Sequence, residues 1–133
     1  MPSPVELVLK FLEKIKQHDV DGLVNLMSEQ HVLIDSLGNR FEGREKLRTG
    51  WQSYFKMCPD YTMSRGEIFD RGDIVAVFGS AGGTIAAKGE LRAENRWRVP
   101  AAWMATVRNG KLEEWRVYAD NKPVYEILNR LNT

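Results

Sequence analysis

Trp97, Val99, Ala101, Trp103, Ala105 and Val107 are apolar, and each stands two residues from the next. That period turns side chains toward one side only in a β-strand. Arg96, Arg98, Pro100, Ala102, Met104, Thr106 and Arg108 then fall on the opposite face. Asn109-Gly110 follows, the pair that supplies the positive φ angles of a two-residue type I′ hairpin. Leu112, Trp115, Val117 and Tyr118 are the larger apolar residues of a returning strand. Residues 96–120 therefore commit the chain to an antiparallel sheet with a buried face, and every other segment must extend that sheet or cover it.

The covering segments come first. Ser3-Pro4 has the form of an N-cap followed by proline in the first turn. Val5, Val8, Leu12 and Ile15 then recur at helical spacing, which predicts a helix to about residue 18. Asp19 can cap a shorter second helix carrying Leu23, Val24, Leu26 and Met27. Val32, Leu33 and Ile34 form a short β-prone run that ends in the turn cluster Asp35-Ser36-Leu37-Gly38-Asn39. Gly43 opens a third helix with Leu47, Trp51, Tyr54 and Phe55 on one face, and Cys58-Pro59-Asp60 stops it. Residues 61–70 and 74–85 read as strands about an Arg71-Gly72-Asp73 turn, the second weakened or bulged by Gly79, Gly82 and Gly83. A polar connection over 87–95 leads to the central pair. After it, Lys122-Pro123 begins a last helix with Val124, Ile127, Leu128 and Leu131 on one stripe.

Helices first and strands afterwards predict an α+β class, one domain over residues 1–133, with a curved antiparallel or mixed sheet wrapped around the N-terminal helices. A bent sheet leaves a hollow between its concave side and those helices, and bulky aromatics on facing elements do not interdigitate fully. An apolar pocket is the expected result.

Composition narrows the function classes. The formal net charge is +1, with both signs scattered, so neither nucleic acid nor a membrane surface is an expected partner. Cys58 is the only cysteine, which excludes an internal disulfide and suits a reducing compartment. The first fifteen residues are interrupted by glutamates and lysines before a signal-peptide core could form, and no apolar run approaches the roughly 18 residues of a membrane span. A cytoplasmic protein is the expectation. His18 and His31 lack metal-ligand companions, Gly79-Ser80-Ala81-Gly82-Gly83 lacks the lysine of a phosphate loop, and no nucleophile with a base partner is recognisable. Neither a metal nor a cofactor is expected.

The helix following His18-Asp19-Val20-Asp21-Gly22-Leu23, the stretch FEGREKLRTGWQSYF over residues 41–55 and the ending WRVYADNKPVYEIL over 115–128 resemble the SnoaL-like branch of the nuclear transport factor 2-like, or ketosteroid isomerase-like, superfamily. The resemblance spans nearly the whole chain. It implies a cone-shaped α+β barrel with an apolar cavity, commonly a homodimer through the outer face of its sheet. It also places Asp35 where ketosteroid isomerases keep the carboxylate that shuttles a proton. The rest of that machinery departs: Phe11 stands at the oxyanion tyrosine and Trp103 at the protonated aspartic acid. The Asp-Arg-Asp set of the epoxide-hydrolase relatives does not assemble, because alternation puts Arg96 and Arg98 opposite Trp97 and Trp103. Cyclase relatives carry an aspartate near a Trp in the last strand, whereas here Trp115 is followed by Arg116 and the nearest carboxylate beyond is Asp120.

Two candidate catalytic residues emerge, Asp35 as proton acceptor and Tyr54 as donor, with Asp35 equally able to form an Asx turn onto Ser36-Leu37. Phe11, Met27, Trp51, Phe55, Trp103, Trp115, Tyr118 and Asp120 are the candidate ligand-binding residues. Asp120 or Asn121 can equally cap the last helix. The expected partner is a small apolar molecule, bound by a homodimer. If there is a reaction, it is a cofactor-free isomerisation, cyclisation or dehydration. The alternative is a binding or assembly module without catalysis that works through Ala102, Met104 and Thr106 on the outer sheet face.

Overall fold

A computed structural model describes residues 2–132. The chain runs α1 (Pro4–Lys16), α2 (Val20–Leu26), β1 (Met27–Ile34), β2 (Arg40–Glu42), α3 (Arg44–Met57), β3 (Thr62–Arg71), β4 (Ile74–Thr84), β5 (Arg96–Arg108), β6 (Lys111–Ala119) and α4 (Lys122–Leu131). The strands form one curved open sheet in the order β2-β1-β6-β5-β4-β3. The meander β3 to β6 is antiparallel throughout, as the sequence pattern predicts. β1 joins it in parallel beside β6, so the sheet is mixed.

Local chemistry explains the boundaries. Ser3 Oγ accepts the Glu6 amide, and Asp19 accepts that of Gly22, so α1 and α2 start where the capping residues stand. Met27, expected to end α2, instead opens β1. The strand is eight residues long rather than three: Met27 pairs with Leu112 of β6, the register then shifts, and the parallel pairing resumes over Val32–Ile34, a long-range contact that no local pattern announces. β5 keeps its full length despite Pro100: pairing with β6 begins only at Ala101, so proline falls where β5 has a neighbour on one side.

Two bulges bend the antiparallel meander, and a third irregularity separates Met27 from Val32 where β1 meets β6. Arg65 pairs with Gly79 and Ile68 with Val77, so Gly66 and Glu67 of β3 stand opposite Phe78 alone. The extra residue is thus on β3. β4 itself pairs continuously with β5 from Ile74 to Thr84, and its glycines serve close approach of neighbouring backbone rather than a bulge. The second bulge is in β6, where Thr106 pairs with Glu114 but Val107 with Leu112, leaving Glu113 unpaired. That insertion lets Leu112 and Trp115, three residues apart, both turn inward, and both are buried.

The core lies between the concave side of the sheet and the helices. Phe11 of α1 is fully buried, its ring 4.8 Å from Trp115 and edge-on to Trp51 at 6.3 Å. Trp103 and Trp115 lie parallel with centroids 6.5 Å apart. At the far end of α3, Asp60 accepts the Thr84 amide at 2.7 Å and its hydroxyl at 2.8 Å. Burial works against the charged form of Asp60, yet these Thr84 donors hold its pKa below the usual carboxylate range. The clamp fixes the end of α3 to the end of β4 and closes that side of the molecule.

Candidate functional site

A cavity of about 730 Å³ lies between the inner face of β4, β5 and β6 and the helices α3 and α4. Its size falls within the range of small-molecule sites, roughly 300–1,000 Å³. Trp103, Trp115 and Val117 rise from the sheet, Trp51 and Tyr54 descend from α3, and Tyr125 comes from α4. The strand period brings the sheet residues to one face, and the helical period aligns Trp51 with Tyr54.

Of the residues singled out from sequence, Asp35, Trp51, Tyr54, Trp103 and Trp115 come together in the cavity wall. Phe11, Met27 and Phe55 are buried outside it. Phe11 backs the wall from α1, Met27 pairs with Leu112 at the opposite end of β1, and Phe55 stacks on the His18 ring at 4.0 Å. Tyr118 is 48% exposed on the other face of the sheet, because strict alternation follows Trp115 and Val117 inward. The Arg116 guanidinium lies over its ring at 5.4 Å. Asp120 stands outside as well, its carboxylate accepting the Lys122 amide at 3.0 Å and so starting α4. Its neighbour Asn121 does line the cavity and donates through Nδ2 to Ser36 Oγ, tying α4 to the turn after β1.

Asp35 sits at the mouth, in the Asx turn that its sequence context allows. Oδ1 accepts the amides of Leu37 and Asn39, and Oδ2 accepts the Asn39 side-chain amide at 3.1 Å. A carboxylate offers about four acceptor positions. Three are spent on the turn, which orients the group and leaves room for one more partner.

Sequence reasoning missed Tyr61, Trp97 and Tyr125 as wall residues. The phase of Trp97 with Trp103 was a usable signal. Tyr61 lies in the turn after α3, where no periodicity applies, and Tyr125 stands one position off the Val124 stripe. Burial pushes the phenol pKa of Tyr54 far above its ordinary value, and the neighbouring Tyr61 phenol, Cys58 thiol and Tyr125 phenol raise it further. Tyr61 shifts the same way through burial and then Cys58. Both therefore remain O–H donors across the ordinary pH range. Burial and the adjacent Asp60 push the Cys58 thiol up to about 11, so it supplies no thiolate at neutral pH.

His31 is fully buried behind the cavity rather than in it. Its Nδ1–H donates to the Leu112 carbonyl at 2.8 Å, and its Nε2 is sealed without a partner. Burial lowers its pKa from 6.5, outweighing the Leu112 hydrogen bond. The unfolded chain therefore takes up a proton near pH 6.5 that the folded chain refuses until the pH is lower. Stability should fall as pH drops below that point, by at most about 1.4 kcal/mol per pH unit. Urea unfolding at pH 7.5 and 5 reads this directly; in His31→Phe the slope over that window should flatten, and an unchanged slope would remove His31 as its source.

Among the described residues, no group of three or more His, Cys, Asp or Glu side chains could hold a metal ion, and no helix is long and apolar enough to cross a membrane.

A curved mixed sheet with helices over its concave side and an aromatic cavity between them defines the ketosteroid isomerase-like, or nuclear transport factor 2-like, class of protein. Within that class the chain belongs to the SnoaL-like domain family (SnoaL_2), whose family model matches residues 8–115. Comparison with curated proteins finds no match. Solved structures share the fold. A candidate SnoaL-like polyketide cyclase from Jannaschia sp. CCS1 is 21% identical, with 93% of this chain and 90% of that one covered at a TM-score of 0.80. A Catenulispora acidiphila protein with a ketosteroid isomerase-like fold, in complex with trimethylamine, is 20% identical, with 90% and 88% covered at 0.77. IdmH, a candidate polyketide cyclase from Streptomyces antibioticus, is 23% identical, with 95% and 98% covered at 0.76.

Proposed function

We propose that the chain binds a compact or flat hydrophobic molecule in the aromatic cavity and acts on it by cofactor-free proton transfer of the isomerase, cyclase or dehydratase kind. The observation that carries this reading is the wall itself: among the described residues, one acid, Asp35, and the Tyr54 hydroxyl, which hydrogen-bonds to none of them, share a 730 Å³ space otherwise walled largely by rings and aliphatic side chains. Asp35 takes the proton through its remaining acceptor position, and Tyr54 donates to the oxygen on which charge develops. Solved relatives described as cyclases and as a trimethylamine complex are consistent with a small-molecule site.

A general assay is hydrogen–deuterium exchange at the carbons flanking the carbonyl of 2-tetralone, followed by proton NMR. The protein should accelerate exchange over buffer, and Asp35→Asn should lower that acceleration by about a hundredfold. One observation favours a second reading, a binding module without catalysis: the Asx turn already engages most of the Asp35 carboxylate. Exchange no faster than in buffer would eliminate the enzyme and leave that reading.

The chain acts, on this proposal, as a cytoplasmic homodimer. Phe78, Ala102 and Tyr118 lie side by side on the outer sheet face, and Phe69 stands edge-on to Phe78 at 6.0 Å. Phe69, Phe78 and Tyr118 are about half exposed, an apolar face that a second copy would cover. Sedimentation should give a dimer that Phe78→Arg dissociates; a concentration-independent monomer in the parent protein would end this part of the proposal.

A further inference from the structure

Gly50 stands in the middle of α3, well inside both ends of the helix. Glycine is among the poorest residues for a helix interior, because its backbone has the most freedom to lose. Neither usual reason for accepting it applies here. The backbone at Gly50 is helical rather than left-handed, and nothing lies within 4 Å of the place that a Cβ would take. At Gly83, by contrast, a Cβ would lie 2.4 Å from the Cys58 sulfur. The helix therefore keeps a gap at position 50 that packing does not require.

That gap opens onto the cavity. Gly50 belongs to its wall, as do Lys46 one turn before it and Tyr54 one turn after. Most of the wall is shielded from solvent. Among the described residues, Phe41, Lys46, Thr49, Gly50 and Tyr125 are its exposed members, and they mark where the cavity opens. Lys46, Thr49 and Gly50 all lie in the first half of α3. A helical side chain leans back over the preceding turn, so one at position 50 would lie over Lys46 and Leu47, both of the wall. Lys46 turns its ammonium to the Phe41 ring, 5.9 Å from the centre. The side chain that α3 lacks is thus lacking at the mouth.

We propose that Gly50 is the threshold over which a ligand enters this cavity, and that the size of residue 50 sets how readily a rigid ring system is admitted. The proposal rests on the reading that the cavity binds a small hydrophobic molecule. A fused ring system cannot bend to pass a constriction, so it needs either a standing opening or a displaced helix. α3 is poorly placed to move. Its first turn is tied to β1 where the Gly43 amide donates to the His31 carbonyl at 2.9 Å, and Arg48 is paired with Asp21 of α2. Just past its other end stands the Asp60–Thr84 clamp. With the helix held along its length, room for passage comes from a residue without a side chain. A flexible chain could thread a narrower gap, so the ligand class that calls for glycine here is rigid and polycyclic.

All four tryptophans of the chain line the cavity, so their emission reports what enters it. Stopped-flow quenching by 1-aminoanthracene, an uncharged fused three-ring probe, gives its association and dissociation rate constants. In Gly50→Leu both should fall about tenfold while the dissociation constant stays within about threefold, because a narrowed entrance slows passage in each direction. Gly50→Ala should slow both by less. Gln52→Leu adds the same bulk to an exposed position of α3 outside the wall and should leave both rates as in the parent. Thermal unfolding of Gly50→Leu no lower than that of the parent shows that the variant is folded, since leucine is the better helix former. Association unslowed in Gly50→Leu, or slowed equally by Gln52→Leu, overturns the threshold and leaves the cavity reading standing. Weaker binding at an unchanged association rate overturns it too, because residue 50 would then occupy the cavity rather than its entrance. A parent protein that binds no probe up to its solubility removes the cavity reading and the threshold with it.

Discussion

Trp115→Ala is expected to cost about 3–5 kcal/mol of folding stability, a large share of the 5–15 kcal/mol that holds a domain of this size together. Trp115 is 1% exposed and sits where the layers of the molecule meet. Its ring touches Phe11 of α1 at 4.8 Å, lies parallel to Trp103 of β5, and forms part of the cavity wall. Truncation removes the transfer energy of an indole and leaves a void that Phe11 cannot fill without moving α1. The existing cavity makes collapse harder, since the wall has open space on its other side. Urea unfolding should show the loss as a lower midpoint with an unchanged slope. Trp115→Phe, which keeps the contact with Phe11, should recover more than half of it. A loss below about 1 kcal/mol for the alanine variant would mean that Trp115 is not the junction described.

Gly79→Ala should be nearly as severe, about 3 kcal/mol or more, although it adds a single methyl group. A Cβ at position 79 would lie 1.9 Å from the Ser64 carbonyl oxygen. That atom is backbone of the paired strand, so no side chain can rotate out of the way. Relief requires β3 and β4 to part beside the bulge that bends the sheet, with loss of ladder hydrogen bonds on both sides of it. Gly50→Ala is the matched control, since nothing lies within 4 Å of its added methyl, and alanine is the better helix former there. Thermal unfolding that ranks Gly79→Ala level with the control would show that the strands are not held at this spacing.

These two substitutions illustrate how unevenly the fold is written along the chain. The central hairpin was legible because six apolar residues at period two and an Asn-Gly turn are both local signals, each produced by neighbours in sequence. The helices were legible for the same reason: caps at Ser3 and Asp19 and apolar stripes are local. β1 was legible only in its last three residues. Its start at Met27 depends on pairing with Leu112 of β6, a parallel contact that joins positions about 80 residues apart. β2, with three exposed residues, carries no pattern of its own.

The site divides along the same line. Trp51 and Trp103 follow from helical and strand phase; in the last strand Trp115 and Tyr118 were both candidates, and only the structure decides for Trp115 in the wall. Tyr61 and Tyr125 do not follow from phase, because their places there depend on the Asp60–Thr84 clamp and on how α4 lies across the sheet. Asp35 was read two ways, as a cavity acid and as a turn former, and it holds both places at once.

By itself, the sequence determined the elements, their order, and which face of each is apolar, since these follow from backbone geometry and side-chain chemistry within a few residues. Only the tertiary structure decided where the bulges fall, which aromatics border open space rather than fill it, and which hydroxyls are left without partners. Those outcomes depend on packing between segments distant in sequence, where a shift of one residue turns a side chain from the cavity to the outer face.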